Sequence, residues 1–144
     1  MKDSPRPSPA DNPCHCFALR RAARTVSREY SEVMGPIGLK HTQFSLLAIL
    51  SYGEQQSIST LAELLGLERT SLTRTLRPLE SQRLVERTDE GYRRQKMIRI
   101  TAAGMEKYEQ GLPLWQAAQA RLNARLTGDE RAQLHALLDL AQGV

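Results

Sequence analysis

The chain has only two cysteines, Cys14 and Cys16, among its 144 residues. That is too few for a disulfide scaffold, so a reducing, cytoplasmic setting is expected. No apolar run approaches the roughly 18 residues that a membrane-spanning helix needs, so no membrane partner is expected. The opening "MKDSPRPSPADNP" lacks the apolar centre of a secretory signal. The sequence also contains no phosphate-binding glycine loop, no second cysteine pair and no carboxylate–histidine constellation. An enzyme is therefore not expected, and neither is a cofactor or a metal. No internal repeat is visible.

What is present is ordinary globular material of mildly basic balance. Apolar residues make up 40% and charged residues 25%, with a formal net charge of +4. The length suits one domain with a real core. The charge permits an anionic partner without requiring one. Residues 1–13, rich in Pro, Ser and Asp, are expected to be a disordered arm. Residues 14–144 then form one domain.

The periodicity divides that domain. From Cys16, the residues Leu19, Ala22, Ala23, Val26, Tyr30 and Val33 recur at helical spacing until "GPIG" at 35–38. A second apolar helix is expected over His41 to Tyr52. In "SISTLAELLG", Ser59 or Thr60 offers an N-cap, Thr60 and Glu63 fit a capping box, and Gly66 fits a stop. A further helix is expected from near Glu68 to about Arg83. Next come two β-prone runs, "LVERT" and "KMIRIT", joined by the polar "DEGYRRQ", which predict a two-stranded hairpin. Thr101 caps a long helix striped by Tyr108, Leu112, Trp115, Ala118, Leu122 and Leu126. Pro113 should kink that helix or remove one of its hydrogen bonds. "TGDE" at 127–130 is another capping box, leading into a last helix with Leu134, Leu137, Leu138 and Ala141.

Helix, tight turn, helix and hairpin, in that order, form a winged helix-turn-helix. The fold class expected is mainly α with a small β wing, the winged core covering about 40–101. In the second helix of the pair, Leu72, Leu76 and Leu79 share one face. The other carries Arg69, Thr70, Ser71, Thr73, Arg74 and Arg77, side chains that hydrogen-bond base edges and phosphates. Between Glu68 and Arg99 there are nine basic residues against five acidic ones, a local excess suited to double-stranded DNA. Arg93 and Arg94 fall at the hairpin tip, where a basic side chain can enter a minor groove. Ser59 and Lys96 complete the candidate DNA contacts. Pro78 lies inside the reading helix, which should bend there, or its base-reading half should end near Arg77.

The stretch "STLAELLGLERTSLTRTLRPLESQRLVERTDEGYRRQKMIRITAAG" resembles the winged helix-turn-helix of the MarR family. The resemblance lies in the Leu-Ala-x-x-Leu helix, the Ser/Thr-rich recognition helix, the "LESQRLVER" exit, the double-Arg wing and the Thr-x-x-Gly start of the next helix. It extends over roughly residues 14–142. It implies a homodimer on a palindromic operator, repressing transcription until a small-molecule inducer or an oxidant releases it. Members often carry Asp before the double Arg; Tyr92 stands there in this chain. Independently of the resemblance, the helices about 14–35 and 102–144 carry more apolar surface than one winged unit covers. Burial against a second copy would account for them.

Several alternatives stay open. "HCFALRRAAR" resembles the first helix of the OhrR branch of the family, which implies a hydroperoxide-sensing Cys16 hydrogen-bonded by Tyr30. Arg20 and His41 stand where that branch has two further tyrosines. Arg20, one turn from Cys16, would favour a thiolate, and Cys14 is a candidate resolving thiol after backbone adjustment. The plain alternative makes Cys16 a small, inert residue at a dimer contact. Metal binding would require His41 or His135 to join Cys14, His15 and Cys16. A thiol- or metal-dependent enzyme is the remote alternative. The resemblance also implies a ligand pocket, for which Tyr30, His41, Phe44 and Trp115 are the candidates, each equally suited to core or interface.

Overall fold

The computed structural model describes residues 14–88 and 95–144. The arm 1–13 and the wing residues Tyr92, Arg93 and Arg94 lie outside the described residues. Helix α1 (His15–Met34) ends in a single 3-10 turn over Gly35–Ile37. Gly38, at φ 73°, closes that turn and redirects the chain. Helix α2 (His41–Leu50) follows, then strand β1 (Gln56–Ser57), helix α3 (Ile58–Leu64) and helix α4 (Arg69–Ser81). Strands β2 (Val85–Thr88) and β3 (Met97–Ile100) lead into α5 (Ala102–Asn123) and α6 (Gly128–Gln142).

The wing has three strands where the sequence suggests two. β3 is central, paired antiparallel with β2 from Val85↔Ile100 to Thr88↔Met97, and with β1 through Gln56↔Ile98 and Ser57↔Met97. A two-residue strand carries too little alternation to be seen as a pattern. Its last residue also corrects the expected cap. Ser57, not Ser59 or Thr60, caps α3: its Oγ accepts from the Thr60 N–H at 3.0 Å. The extended backbone that pairs Ser57 with Met97 is also the conformation that an N-cap needs.

Helices α3 and α4 both end in the same hydrogen-bonded turn. After α3, the Gly66 N–H bonds the Glu63 carbonyl and the Leu67 N–H bonds the Ala62 carbonyl, with Gly66 at φ 60°. After α4, Arg83 donates to Glu80 and Leu84 to Leu79, with Arg83 at φ 58°. These are Schellman closures. α2 stops two residues earlier than expected, because Ser51 and Tyr52 enter a turn closed by the Gly53 N–H on the Leu50 carbonyl.

Two prolines sit inside helices without ending them. α4 runs through Pro78 to Ser81, and α5 runs through Pro113 to Asn123. α4 thus continues for one turn beyond Arg77. Each proline removes one helical N–H, leaving the carbonyls of Arg74 and Glu109 to solvent. Both residues are exposed, so water can satisfy them. Leu126 falls beyond α5, in the turn before α6. That turn carries the expected capping box, Thr127 N–H to Glu130 Oε2 at 2.7 Å and Glu130 N–H to Thr127 Oγ1 at 3.2 Å.

The core lies under the winged unit. Met34, Leu46, Leu47, Leu50, Leu61, Leu72, Leu76, Leu79 and Ile98 are at most 1% exposed and belong to one cluster. Each buried leucine contributes roughly 1.5–3 kcal/mol of transfer free energy. α5 packs on α1 and α2, whereas α6 buries none of its residues within the chain.

Candidate nucleic-acid interface

Helix α4 sorts its side chains by rotation. Successive residues turn by about 100°. Leu72, Leu76 and Leu79 are fully buried. Thr70, Arg74 and Arg77 fall within about 60° of one another on the opposite side, and all three are exposed. Ser71 flanks them, and Arg69 is exposed in the first turn. Thr73 is half-buried, and its hydroxyl donates to the Arg69 carbonyl at 2.9 Å. Its free lone pairs leave it able to accept but not to donate without breaking that bond. Ser59 is exposed in the first turn of α3, and Lys96 is exposed just before β3.

Two arginines in the basic window are held by acids. Arg99 bonds Glu86, its cross-strand partner, at 2.6 Å. Arg87 on β2 pairs with Glu80 near the end of α4. That hydrogen bond raises the Arg87 guanidinium above its ordinary pKa. The pair also ties the wing to α4. Both arginines thus count toward the sequence's charge excess while being partly neutralised in place. Thr88 adds a tie from β2, donating to Gln55 Oε1 at 2.9 Å.

The candidate pocket residues divide. Tyr30 and His41 meet, with ring centroids 5.4 Å apart and planes at 60°. The Tyr30 hydroxyl donates to Gln119 Oε1 on α5. Burial, then the nearby Glu29 carboxylate, raises the Tyr30 pKa. His41 opens α2, its N–H donating to Ser31 Oγ at 3.3 Å. Its Nδ1 is buried with no hydrogen-bond partner, and burial lowers the imidazole pKa. Phe44, by contrast, is 3% exposed and stacks on Tyr108 at 5.5 Å. Trp115 packs against the same core. Gln119 is not among the residues that the sequence singles out. Its signal was a polar residue one turn from Trp115 beside the apolar stripe of α5.

Cys14 and Cys16 are both exposed at the start of α1. Cys16 and Tyr30 are fourteen residues apart on one helix, about 21 Å along its axis, so one chain does not bring them together. Among the described residues, no three His, Cys, Asp or Glu side chains stand together in a metal-binding arrangement. The combined site of Cys14, His15 and Cys16 with His41 or His135 does not form.

This arrangement of leucine-backed reading helix and three-stranded wing recurs in known proteins. The family model described as MarR family matches residues 39–91. MosR, a transcriptional regulator of M. tuberculosis, is 35% identical over 92% of this chain and 96% of its own, with a TM-score of 0.80. The chain belongs to the MarR family. This is a family of winged-helix, DNA-binding transcriptional regulators. MosR is also known in complex with DNA, at 36% identity and a TM-score of 0.79. CouR, a transcriptional repressor bound to a 23-mer DNA duplex, is 26% identical over 90% of this chain and 92% of its own, with a TM-score of 0.79. The E. coli regulator PapX is 35% identical over 88 residues, 59% of this chain and 54% of PapX. The match therefore spans about half of the length of PapX. Among the described residues, no helix is long and apolar enough to cross a membrane.

Proposed function

We propose that this MarR-family protein is a cytoplasmic, homodimeric repressor that binds a palindromic operator and is released by a small-molecule ligand. The observation that carries the reading is the exposed triad of Thr70, Arg74 and Arg77 on the side of α4 opposite its buried leucines. Arg74 and Arg77 suit guanine edges or phosphates, and Thr70 and Ser71 suit either. Arg69, Ser59 and Lys96 border this face as phosphate contacts. Arg93 and Arg94 would follow the wing into the minor groove.

Dimerisation is supported by α6, which has no buried residue, and by Leu134, Leu137 and Leu140, exposed by 39%, 64% and 73%. Leu134 lines an apolar groove of about 390 Å³ between α1, α5 and α6 that includes Leu19, Val26 and Leu122. Monomeric proteins seldom leave such a surface bare. The ligand reading is supported by His41, whose buried Nδ1 lacks a partner beside the Tyr30 ring. A ligand hydroxyl there would satisfy it.

A second reading, release by oxidation, is favoured by the exposure of both cysteines. Cys14 has extended backbone angles just ahead of the helix. In this reading an organic hydroperoxide oxidises the Cys16 thiolate to a sulfenic acid and leaves as the alcohol. The Cys14 thiol then condenses with it, releasing water and forming a disulfide. A Cys16–Tyr30 contact would need two protomers.

Fluorescence anisotropy on DNA from immediately upstream of the protein's own gene, across a salt series, tests both readings. Tight binding that weakens with salt is expected. Arg74→Ala should cost about 1–3 kcal/mol and relax base preference. Binding indifferent to salt and to Arg74→Ala would sink the DNA reading. Loss of binding after hydroperoxide, prevented by Cys16→Ser, would establish the redox reading over the ligand one.

A further inference from the structure

We propose that the outer face of α1 binds a small organic polyphosphate carrying a flat ring, at a surface separate from the DNA-reading helix. Arg20, Arg24 and Arg28 succeed one another at four-residue spacing, and Arg21 lies beside them. Taking about 100° per residue, all four fall on the side of α1 opposite Leu19, Val26 and Tyr30, the side turned to α5 and the apolar groove. All four are exposed. Phe17, 66% exposed, occupies the middle of the same face one turn ahead of Arg20 and Arg21. Together with Thr25 these residues line a trough of about 310 Å³, comparable to a small-ligand site.

Like charges one turn apart on a helix repel. Among the described residues, none of the four guanidinium groups has an ion pair. Glu29, next to Arg28 in sequence, is turned away from this face and bonds Arg125 at 2.9 Å. Glu32, one turn beyond Arg28, makes no ion pair with it. Guanidinium groups in a row are suited to phosphate oxygens, which they engage two donors at a time. The row is short, about 12 Å from Arg20 to Arg28, which fits a compact polyanion better than a nucleic-acid strand. An exposed phenyl ring at its end offers a stacking surface for a flat ring.

The position of α1 separates this face from the operator. α1 packs on α5 and α2, and it is α2 that packs on α4. Occupation of the trough would therefore leave Thr70, Arg74 and Arg77 free.

Isothermal titration of the full chain with ATP and with inorganic tripolyphosphate, both without added metal, tests the proposal. Binding of ATP with a Kd below about 1 mM is expected. The double substitution Arg24→Ala, Arg28→Ala should weaken both probes by about tenfold or more. Phe17→Ala should weaken ATP and leave tripolyphosphate unchanged. Affinity of each variant for the upstream DNA, measured without either probe, should equal that of the parent and shows that the variant is folded. Absence of binding by both probes overturns the proposal, as does parental affinity in the double variant. Equal loss of both probes in Phe17→Ala removes the ring from it. A single-stranded oligothymidylate that binds through Arg24 and Arg28, and that ATP fails to displace, would make the face a nucleic-acid surface instead.

Discussion

A Cβ on Gly104 would stand 2.0 Å from the carbonyl oxygen of Leu84. The first turn of α5 thus presses directly on the backbone between α4 and β2. Thr101 holds the same junction. Its Oγ1 accepts from the Gly104 N–H at 3.0 Å, and its hydroxyl lies 2.7 Å from the Arg83 carbonyl and 3.1 Å from that of Leu84. Gly104→Ala forces backbone against backbone, which no rotamer change relieves. A destabilisation of about 3 kcal/mol or more is expected, at the upper end for overpacking. Thermal unfolding followed by circular dichroism measures it. A melting temperature within a degree or so of the parent would show that the junction yields.

Arg83 is the complementary case. It holds φ 58° with a full side chain, where helix ends usually place glycine. Arg83→Gly removes that strain but enlarges the unfolded ensemble, so the two effects partly cancel. A net gain of about 0.5–1 kcal/mol is expected. Urea denaturation at constant m-value tests this, and a loss of stability would mean that the arginine side chain makes contacts outweighing the strain.

These two positions show what was legible in the sequence and what was not. Gly66 marks the end of α3 because glycine is the usual occupant of that conformation; Arg83 closes α4 by the same geometry with nothing in its chemistry to announce it. The leucine spacing of α4 gave its buried face directly, and with it the exposed Thr70, Arg74 and Arg77. Thr101 and Thr127 cap the helices they were expected to cap, because those bonds are local. β1 and the Ser57 cap were missed because the strand's pairing with β3 lies forty residues away in sequence. The Tyr30–Gln119 bond spans 89 residues, and no local pattern contains it. The ion pairs of Arg87 and Arg99 were hidden for the same reason. A charge count cannot tell a free guanidinium from a paired one.

His41 makes stability depend on pH with a definite sign. Burial lowers its folded pKa below the ordinary 6.5. The folded protein therefore binds fewer protons than the unfolded chain across the interval between the two values. The stabilisation is present above the unfolded pKa and is lost as pH falls through the folded one. Its position in the first turn of α2, where the helix dipole is positive, opposes protonation further. Stability measured by urea at pH 7 and pH 5 should fall more for the parent than for His41→Gln. Equal falls in both would mean that the imidazole finds an acceptor when it is charged.

The exposed leucines of α6 give the sharpest test of assembly. A helix that buries none of its residues within its own chain has little reason to stay folded on its own, since most helical stability comes from packing. Leu137 and Leu140 are among the most exposed apolar side chains of the described residues. If a second copy covers them, Leu137→Lys with Leu140→Lys places two charges in that contact, and each unpaired buried charge costs several kcal/mol. Sedimentation velocity should then show a dimer for the parent and a monomer for the variant. The winged unit has its own core in Leu47, Leu61, Leu72 and Leu76, so the near-native helical signal should persist. Affinity for a palindromic duplex should fall much more than affinity for a half-site, because only the dimer places two α4 helices one DNA turn apart. A variant that stays dimeric would move the contact off α6, and a parent that sediments as a monomer would leave the apolar groove to some other partner.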